Sequence, residues 1–193
     1  AIEFSEQAMV IAREIGDRHG EGASLGKLGN AYAALGDARR AIEFYEQAMV
    51  IAREIGDRRS EGNHLSNLGL AYSDLGDASH AIEFYEQAMA IAREIGDRRG
   101  ESNRLANLAN AYAILGDASR AIEFYEQALV VTREISDAYS EIWILGNMGN
   151  IFRKLKKYQK ALRYFELATE IANKKKIKAP FVNYISDLRN TLA

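Results

Sequence analysis

The stretch AIEFYEQAMVIAREIGDRRSEGNHLSNLGLAYSDLGDASH, residues 41–80, decides the fold because the chain repeats it in tandem. Residues 81–120 differ from it at only ten positions, and AIEFSEQAM at residue 1 and AIEFYEQAL at residue 121 begin further copies at the same spacing of 40 residues. A fifth, more diverged copy starts with ALRYFELAT at residue 161. Self-similarity at one fixed period predicts a stack of like units, each packed on its neighbours.

Gly-Asp pairs divide each unit into two parts. They occur at residues 16–17, 36–37, 56–57, 76–77, 96–97 and 116–117. Glycine readily takes the left-handed conformation that ends a helix, and aspartate accepts a backbone N–H at the start of the next one. Pro180 is the only proline, so nothing interrupts the segments between the pairs. Each unit is therefore predicted to hold two helices of roughly 18 residues.

The apolar residues of each segment recur at helical spacing. In the second helix of a unit one face carries Ala41, Phe44, Tyr45, Ala48, Met49, Ala52 and Ile55. In the first helix the matching stripe is Leu65, Leu68, Tyr72 and Leu75. One hairpin cannot bury such faces alone, so we expect neighbouring hairpins to stack and cover them.

Composition narrows the class of protein. A net charge of −2 favours neither nucleic acid nor a membrane surface as partner, and no apolar run is long enough for a membrane helix. The absence of cysteine excludes disulfides and thiolate chemistry, and favours a reducing, cytoplasmic location. Because the first residue falls inside a repeat, we expect the chain to be part of a longer protein, with an uncapped N-terminal end open to self-association.

The pattern of each unit resembles a known family. Leu65, Leu68, Gly69, Tyr72, Gly76, Ala81, Tyr85 and Ala88 are similar to the tetratricopeptide repeat signature. Leu65 stands where the family often has tryptophan, and Arg93 replaces the usual proline, as in a longer 40-residue variant. The unit also resembles Leu-Gly-Asn-type adaptors, kinesin light chains and the arrays of bacterial signalling proteins. The resemblance covers residues 1 to about 173.

This resemblance implies an all-α fold, a right-handed superhelical solenoid of antiparallel helix pairs. We expect the array to occupy residues 1–176, as the second helix of one unit followed by four pairs. Residues 177–193 are expected to form a C-terminal capping helix, with Pro180 near its first turn. In the resembled family the first helix of each pair lines the concave side, which binds peptides.

One stripe of the first helices is therefore the candidate binding surface. Offsets of 4, 7 and 11 residues place its members on one helix face, and asparagine dominates it. We call the following residues the Asn stripe: Lys27, Asn30, Asn63, Asn67, Asn103, Asn107, Asn110, Trp143, Asn147, Asn150 and Lys154. A carboxamide offers a donor and an acceptor, so such residues could hold the main chain of an extended peptide.

A structural interpretation of the same asparagines stays open. Near-identical repeats duplicate every residue, including those without a role, and an asparagine could equally satisfy the contact between neighbouring hairpins. Asparagine is a poor helix former, so its recurrence in helix interiors requires one explanation or the other.

No residues point to catalysis. The three histidines lack neighbours at metal-ligand spacing and are expected on the solvated surface, and no phosphate loop or hydrolase motif occurs. We therefore expect no enzymatic activity, no metal and no cofactor. A basic segment between Ile151 and Lys178 holds ten lysines and arginines against Glu166 and Glu170. A solvated helix end, whose cations suit the helix dipole, explains it best. Docking of an acidic partner or of nucleic acid is the alternative, which the small number of interleaved aromatic residues disfavours.

The sequence thus predicts a non-enzymatic scaffold that binds a protein or an extended peptide in its concave groove. Two alternatives remain at this point. The array could be a ligand-sensing, regulatory module of a larger signalling protein, or it could assemble with copies of itself through its end faces.

Overall fold

The computed structural model describes residues 2–178 and 181–192, which contain ten α-helices and no β-strand. The helices are α1 Ile2–Glu14, α2 Arg18–Ala34, α3 Ala38–Glu54, α4 Arg58–Asp74, α5 Ala78–Glu94, α6 Arg98–Ile114, α7 Ala118–Glu134, α8 Ala138–Lys154, α9 Tyr158–Lys174 and α10 Val182–Leu192. The chain divides into two compact units, residues 1–100 and residues 101–193. The helices α2 to α9 have 17 residues each, close to the predicted length.

The Gly-Asp punctuation acts as predicted. The glycines of all six pairs have φ between +68° and +82°, the left-handed region in which a side chain would be strained. Each following aspartate accepts the backbone N–H three residues on, at 2.9 Å from Asp17 to Gly20 and at 3.0 Å from Asp57 to Ser60. Such a cap is worth about 1 kcal/mol. Helix boundaries in this chain are thus set by local residues.

The last three turns lack the glycine, although Asp137 still caps α8. Ser136, Lys156 and Lys176 stand in the left-handed conformation where the earlier turns have glycine. Lys157 occupies the N-cap of α9 without forming a side-chain cap. The last hairpin therefore gives up about 1 kcal/mol of capping at this point, and its stability depends more on packing.

In the first unit the apolar stripes form the core. Leu65, Ala88 and Ile91 pack in one cluster, and Tyr45 and Leu68 pack in another. Gly69 permits the hairpin to close, since a Cβ there would lie 2.5 Å from Cε1 of Tyr85. The core is therefore made between successive helices, as the periodicity predicts.

Two residues assigned to these stripes are not in the core. Ile55 and Leu75 are 41% and 46% exposed. Both are C-cap residues, so they stand beyond the last helical turn, where the neighbouring helix no longer covers them. The predicted burial is wrong at these two positions.

In the second unit α7, α8 and α9 provide the core. Tyr125, Leu145, Met148 and Phe165 are among the largest fully buried side chains. A buried hydrogen bond of 2.5 Å joins the hydroxyls of Ser102 and Thr132, which satisfies two polar groups inside an otherwise apolar region.

Helix α10 packs against α9. The rings of Phe181 and Tyr184 lie 5.4 and 5.5 Å from the ring of Phe165, and Arg189 donates to Glu166 at 2.6 Å. Pro180, assigned above to the first turn of this helix, lies outside the described residues. The assignment of residues 177–193 as a separate capping segment stays a prediction.

Candidate peptide-binding face

The Asn stripe is accessible to solvent along its whole length in each unit. Its most exposed members are Lys27, Asn30, Asn63, Asn103, Trp143 and Lys154. Its half-buried members are Asn67, Asn107, Asn110, Asn147 and Asn150. The neighbouring apolar positions of the same helices, such as Leu68 and Leu108, are completely buried. Helical spacing thus separates a core face from an accessible, carboxamide-rich face.

Three asparagines of the stripe form hydrogen bonds inside the molecule. Asn30 Oδ1 accepts a hydrogen bond from the Tyr45 hydroxyl at 2.8 Å, and Asn67 Nδ2 lies 3.4 Å from the same oxygen. Asn110 Oδ1 accepts from the hydroxyl of Tyr125. The two bonds from tyrosine each join the helices of one hairpin, whereas the bond from Asn67 to Asn30 joins neighbouring hairpins. These contacts support the structural interpretation for Asn30, Asn67 and Asn110.

The other units do not repeat this pair. Leu70 occupies the asparagine position opposite Tyr85, and Phe165 occupies the tyrosine position opposite Asn150. Phenylalanine has no hydroxyl, so the bond that accounts for Asn30 and Asn110 cannot account for Asn150. A hydrogen bond to tyrosine therefore explains some asparagines of the stripe and not others.

Asn147 and Trp143 give the second unit its most distinctive surface. The Nδ2 atom of Asn147 is buried and has no hydrogen-bond partner among the described residues. Trp143 is 47% exposed, and its ring meets the ring of Tyr125 edge-on at a centroid distance of 6.3 Å. Burial also raises the pKa of the Tyr125 hydroxyl, which therefore stays protonated as a donor. The exposed ring of Trp143 suits a role as an anchor for a peptide ligand.

One histidine is not on the solvated surface. His64 faces a cavity of about 160 Å³ in the first unit, which His19 and Asp57 also line. Its Nδ1 atom is buried without a hydrogen-bond partner among the described residues, and burial lowers the pKa of the ring. The prediction of a solvated His64 is wrong because α4 turns this position toward α2, where a Cβ on Gly26 would lie 2.7 Å from the imidazole.

Buried glutamates were missed by the sequence analysis. Glu21 is 4% exposed and accepts from Arg13 at 2.5 Å and from Arg18 at 2.6 Å. Glu61 repeats the arrangement with Arg53 at 2.6 Å and with Arg58. Hydrogen bonding from Arg13 lowers the pKa of Glu21, so the carboxylate stays charged inside this cluster. Recurrence at 40-residue spacing gave no signal, because exposed glutamates such as Glu43 and Glu83 recur in the same way.

The ion pairs from Arg13 and Arg53 connect successive helices. Over residues 2–178 and 181–192, no cluster of three or more histidine, aspartate or glutamate side chains could hold a metal ion. The same residues include no helix that is long and apolar enough to cross a membrane.

The repeat, the caps and the hairpin packing identify the family. A family model described as tetratricopeptide repeat matches residues 1–54, 27–94 and 99–174. The chain belongs to the tetratricopeptide repeat family. Tetratricopeptide repeats are in general non-catalytic modules of protein interaction, so the coarse prediction of an interaction protein agrees with the family. A search of the curated proteins finds no match.

Solved tetratricopeptide repeat structures share the fold. A chain from Podosopora anserina, assigned as a kinesin light chain with nearly identical repeats, is 24% identical, with a TM-score of 0.74 over 90% of this chain and 86% of that one. Aspartyl phosphate phosphatase F from Bacillus subtilis is 20% identical, with a TM-score of 0.83 over 97% of this chain and 48% of its own. The quorum sensor NprR from B. thuringiensis is 22% identical, with a TM-score of 0.71 over 89% of this chain and 49% of its own.

At these identities the likeness establishes the fold alone. The predicted all-α helical-repeat architecture and the predicted family are confirmed, including the likeness to kinesin light chains. The Asn stripe as a binding site stays a prediction.

Proposed function

We propose that this chain is a non-enzymatic scaffold that binds an extended peptide or protein segment along the Asn stripe. The observation that carries the proposal is the combination of accessibility and residue type. The stripe keeps polar, helix-disfavouring asparagines in the interiors of regular helices, where alanine would be more stable. Residues that oppose local stability mark functional positions more often than others do.

The chemistry of the stripe suits a peptide backbone. A carboxamide can donate to a peptide carbonyl and accept from a peptide N–H, whatever the side chains of that peptide are. Asn63 and Asn103 are exposed members of the stripe that a peptide could reach. Trp143 provides an exposed ring as an anchor, and Lys27 and Lys154 provide positive charge at exposed positions.

The paired substitutions Asn67→Ala and Asn107→Ala test the proposal. Asn67 loses one long hydrogen bond to Asn30, but alanine is the better helix former at both positions, so we expect the free energy of unfolding to stay the same or to rise by less than about 1 kcal/mol. Extended peptides selected on the wild-type chain from a displayed random library are expected to bind the double variant about tenfold more weakly or worse. Fluorescence anisotropy measures the affinity, and circular dichroism measures the melt.

Asn110→Ala is the matched control for a structural role. It removes the acceptor of the Tyr125 hydroxyl and should therefore cost about 1–3 kcal/mol of stability. If the Asn67/Asn107 variant also melts earlier and retains its peptide affinity, the asparagines serve the fold and the proposed function is wrong. The same conclusion follows if no extended peptide is selected.

A further inference from the structure

A groove in the second unit lies away from the Asn stripe. It runs between α7 and α9, with α8 beneath, and has a volume of about 820 Å³. Leu145, Met148 and Phe152 form its floor. Along α8 these residues are offset by about half a turn from Trp143, Asn147 and Asn150 of the stripe. The α7–α9 groove is therefore a second surface on the same helix.

The walls of the groove are apolar over about three helical turns. Ile122 and Val130 line one side, and Tyr164 and Leu167 line the other. Val130 and Leu167 are 58% and 37% exposed, which leaves apolar side chains in contact with water. The lining of α7 extends from Ile122 to Arg133, a rise of roughly 16 Å, which matches the length of a short helix.

The rim of the groove is strongly cationic. Arg133, Lys157, Lys160 and Arg163 line it, with Glu126 as the single acidic residue of the lining. Arg133 is already paired with Glu141 at 2.7 Å. In the described part of the chain, Lys157, Lys160 and Arg163 form no ion pair. The α9 wall thus presents three positive charges that an acidic partner could neutralise.

Three residues of the α9 wall differ from the residues at the equivalent positions of the earlier units. Where α9 has Lys157, the earlier units have Asp37, Asp77 and Asp117. Where α9 has Arg163, they have Glu43, Glu83 and Glu123. The exposed Leu167 replaces Gln47, Gln87 and Gln127. Two positions have changed from acid to base, and one has changed from polar to apolar, all on the same wall.

A solvent-facing end of the array does not explain these changes. Terminal repeats gain polar residues on the side that meets water, whereas Leu167 makes this wall more apolar. Lys157 also gives up the N-cap hydrogen bond and places a positive charge at the positive end of the helix dipole. The change at residue 157 thus opposes local stability, and the three changes together produce one cationic, apolar surface.

We propose that the α7–α9 groove binds an acidic amphipathic helix of a partner protein. The apolar face of that helix lies on the floor between Val130 and Leu167. Its carboxylates face Lys157, Lys160 and Arg163. This is the helix-in-groove mode of recognition, in which residues spaced by three and four provide the anchors and complementary charge sets the register.

A synthetic helix tests the proposal directly. The probe is a fluorescein-labelled 18-residue peptide with leucines at i, i+3, i+4 and i+7 and glutamates on both flanks of that stripe. A second peptide has lysine in place of every glutamate. We expect the acidic peptide to bind at low salt and the lysine peptide to bind at least about tenfold more weakly, because only the first complements the rim.

Variants locate the binding. Lys160→Glu with Arg163→Glu should lower the affinity for the acidic peptide about tenfold or more. Leu167→Gln should lower that affinity severalfold. Lys175→Glu with Lys178→Glu makes the same change in net charge on exposed residues outside the lining and should have little effect. Lys157→Asp restores the N-cap and removes one positive charge. It should therefore raise the melting temperature of the chain and lower its affinity for the acidic peptide. If residue 157 had only a structural role, the variant would raise the melting temperature and leave the affinity for the peptide unchanged.

Three results would overturn the proposal. The first is failure of the acidic peptide to bind at any concentration up to about 1 mM. The second is an equal loss of affinity in both charge-reversal pairs, which would indicate unspecific attraction. The third is binding of laurate, but not of the peptide, that depends on Lys160 and Arg163; the groove would then be a site for a small anionic amphiphile. None of these results bears on the Asn stripe.

Discussion

Residue 64 is histidine in a column where the other units have Ser24, Arg104 and Ile144. The imidazole lies in a cavity with its Nδ1 buried, and its ring centroid is 6.5 Å from that of Tyr45. Burial lowers the pKa of this ring, and the charge of Asp57 opposes that effect. The folded chain therefore takes up this proton at a lower pH than the unfolded chain does.

The sign of the pH effect follows from that difference. As the pH falls below about 6.5, the unfolded chain binds the proton first, so unfolding becomes more favourable. The loss of stability stops once the folded histidine is also protonated. We expect His64→Gln to reduce the loss of unfolding free energy between about pH 7.5 and about pH 5.5, measured by urea titration.

His19→Gln is the control for this experiment. His19 lines the same cavity but is exposed, so His19→Gln removes a second imidazole while the buried site of His64 is kept. Asp57 titrates in a lower range, because hydrogen bonds from Ser60 lower the pKa of its carboxyl group. If the free energy of unfolding depends on pH equally in the wild type and in His64→Gln, the buried His64 ring is not the source of the effect.

At the scale of the helix, Gly146 lets the segment that leads into α10 pack on α8, because glycine has no side chain at this contact. A Cβ on Gly146 would lie 2.0 Å from Cζ of Phe181, too close for the ring to keep its place. The ring also packs on Phe165, so its displacement would affect the attachment of α10. Alanine would otherwise favour α8 by about 1 kcal/mol.

Gly146→Ala is therefore expected to loosen α10 without unfolding α8. Hydrogen exchange of residues 182–192 should become about tenfold faster, while the exchange of α8 stays unchanged or slows. In a Phe181→Ala background the clash is absent, and Gly146→Ala should then have no further effect on α10. Unaltered exchange of α10 in the single variant would show that the ring finds another position at no cost.

At the scale of the molecule, α1 exposes an apolar face to solvent. The equivalent face is buried in α3 and α5, which are the second helices of later units. Ile11 is 57% exposed, whereas Ile51 and Ile91 at equivalent positions are 4% and 5% exposed. Phe4 on the same helix is 76% exposed. Contiguous exposed apolar residues promote association, and a contact between unlike ends of two copies would extend into a chain of molecules.

We expect the average mass of this chain in sedimentation to rise with concentration, and Phe4→Lys with Ile11→Lys to hold it at the monomer value. Val50→Lys with Val130→Lys introduces the same charge at exposed positions away from α1 and serves as the control. A constant monomer mass of the wild type at every concentration would remove self-assembly as a role.

The parts of the fold that depend on neighbours in sequence were predictable. The caps at Asp17 and Asp57 and the turns at the glycines of the Gly-Asp pairs need only residues within one turn, so the pattern contains all the information. The accessible Asn stripe followed from helical spacing in the same way. Predictions failed at helix ends, where Ile55 and Leu75 lie outside the regular contacts.

Features that depend on partners from other helices were not predictable. The burial of Glu61 requires Arg53 from the preceding helix, and the environment of His64 requires a groove beside Gly26, 38 residues earlier in the chain. The bond from Tyr45 to Asn30 likewise joins two helices. Nothing in the local pattern distinguishes these polar residues from solvated ones.

The sequence by itself determined the helices, their boundaries and the repeat family of this protein, because spacing and capping are short-range properties that every unit repeats. Only the tertiary structure decided which polar residues are held inside and which surfaces stay open. It separated Asn30 and Asn110, which are bonded to tyrosines, from Asn147, whose Nδ2 has no partner among the described residues. It also brought Val130 and Leu167 into one groove, since such contacts depend on how neighbouring hairpins pack.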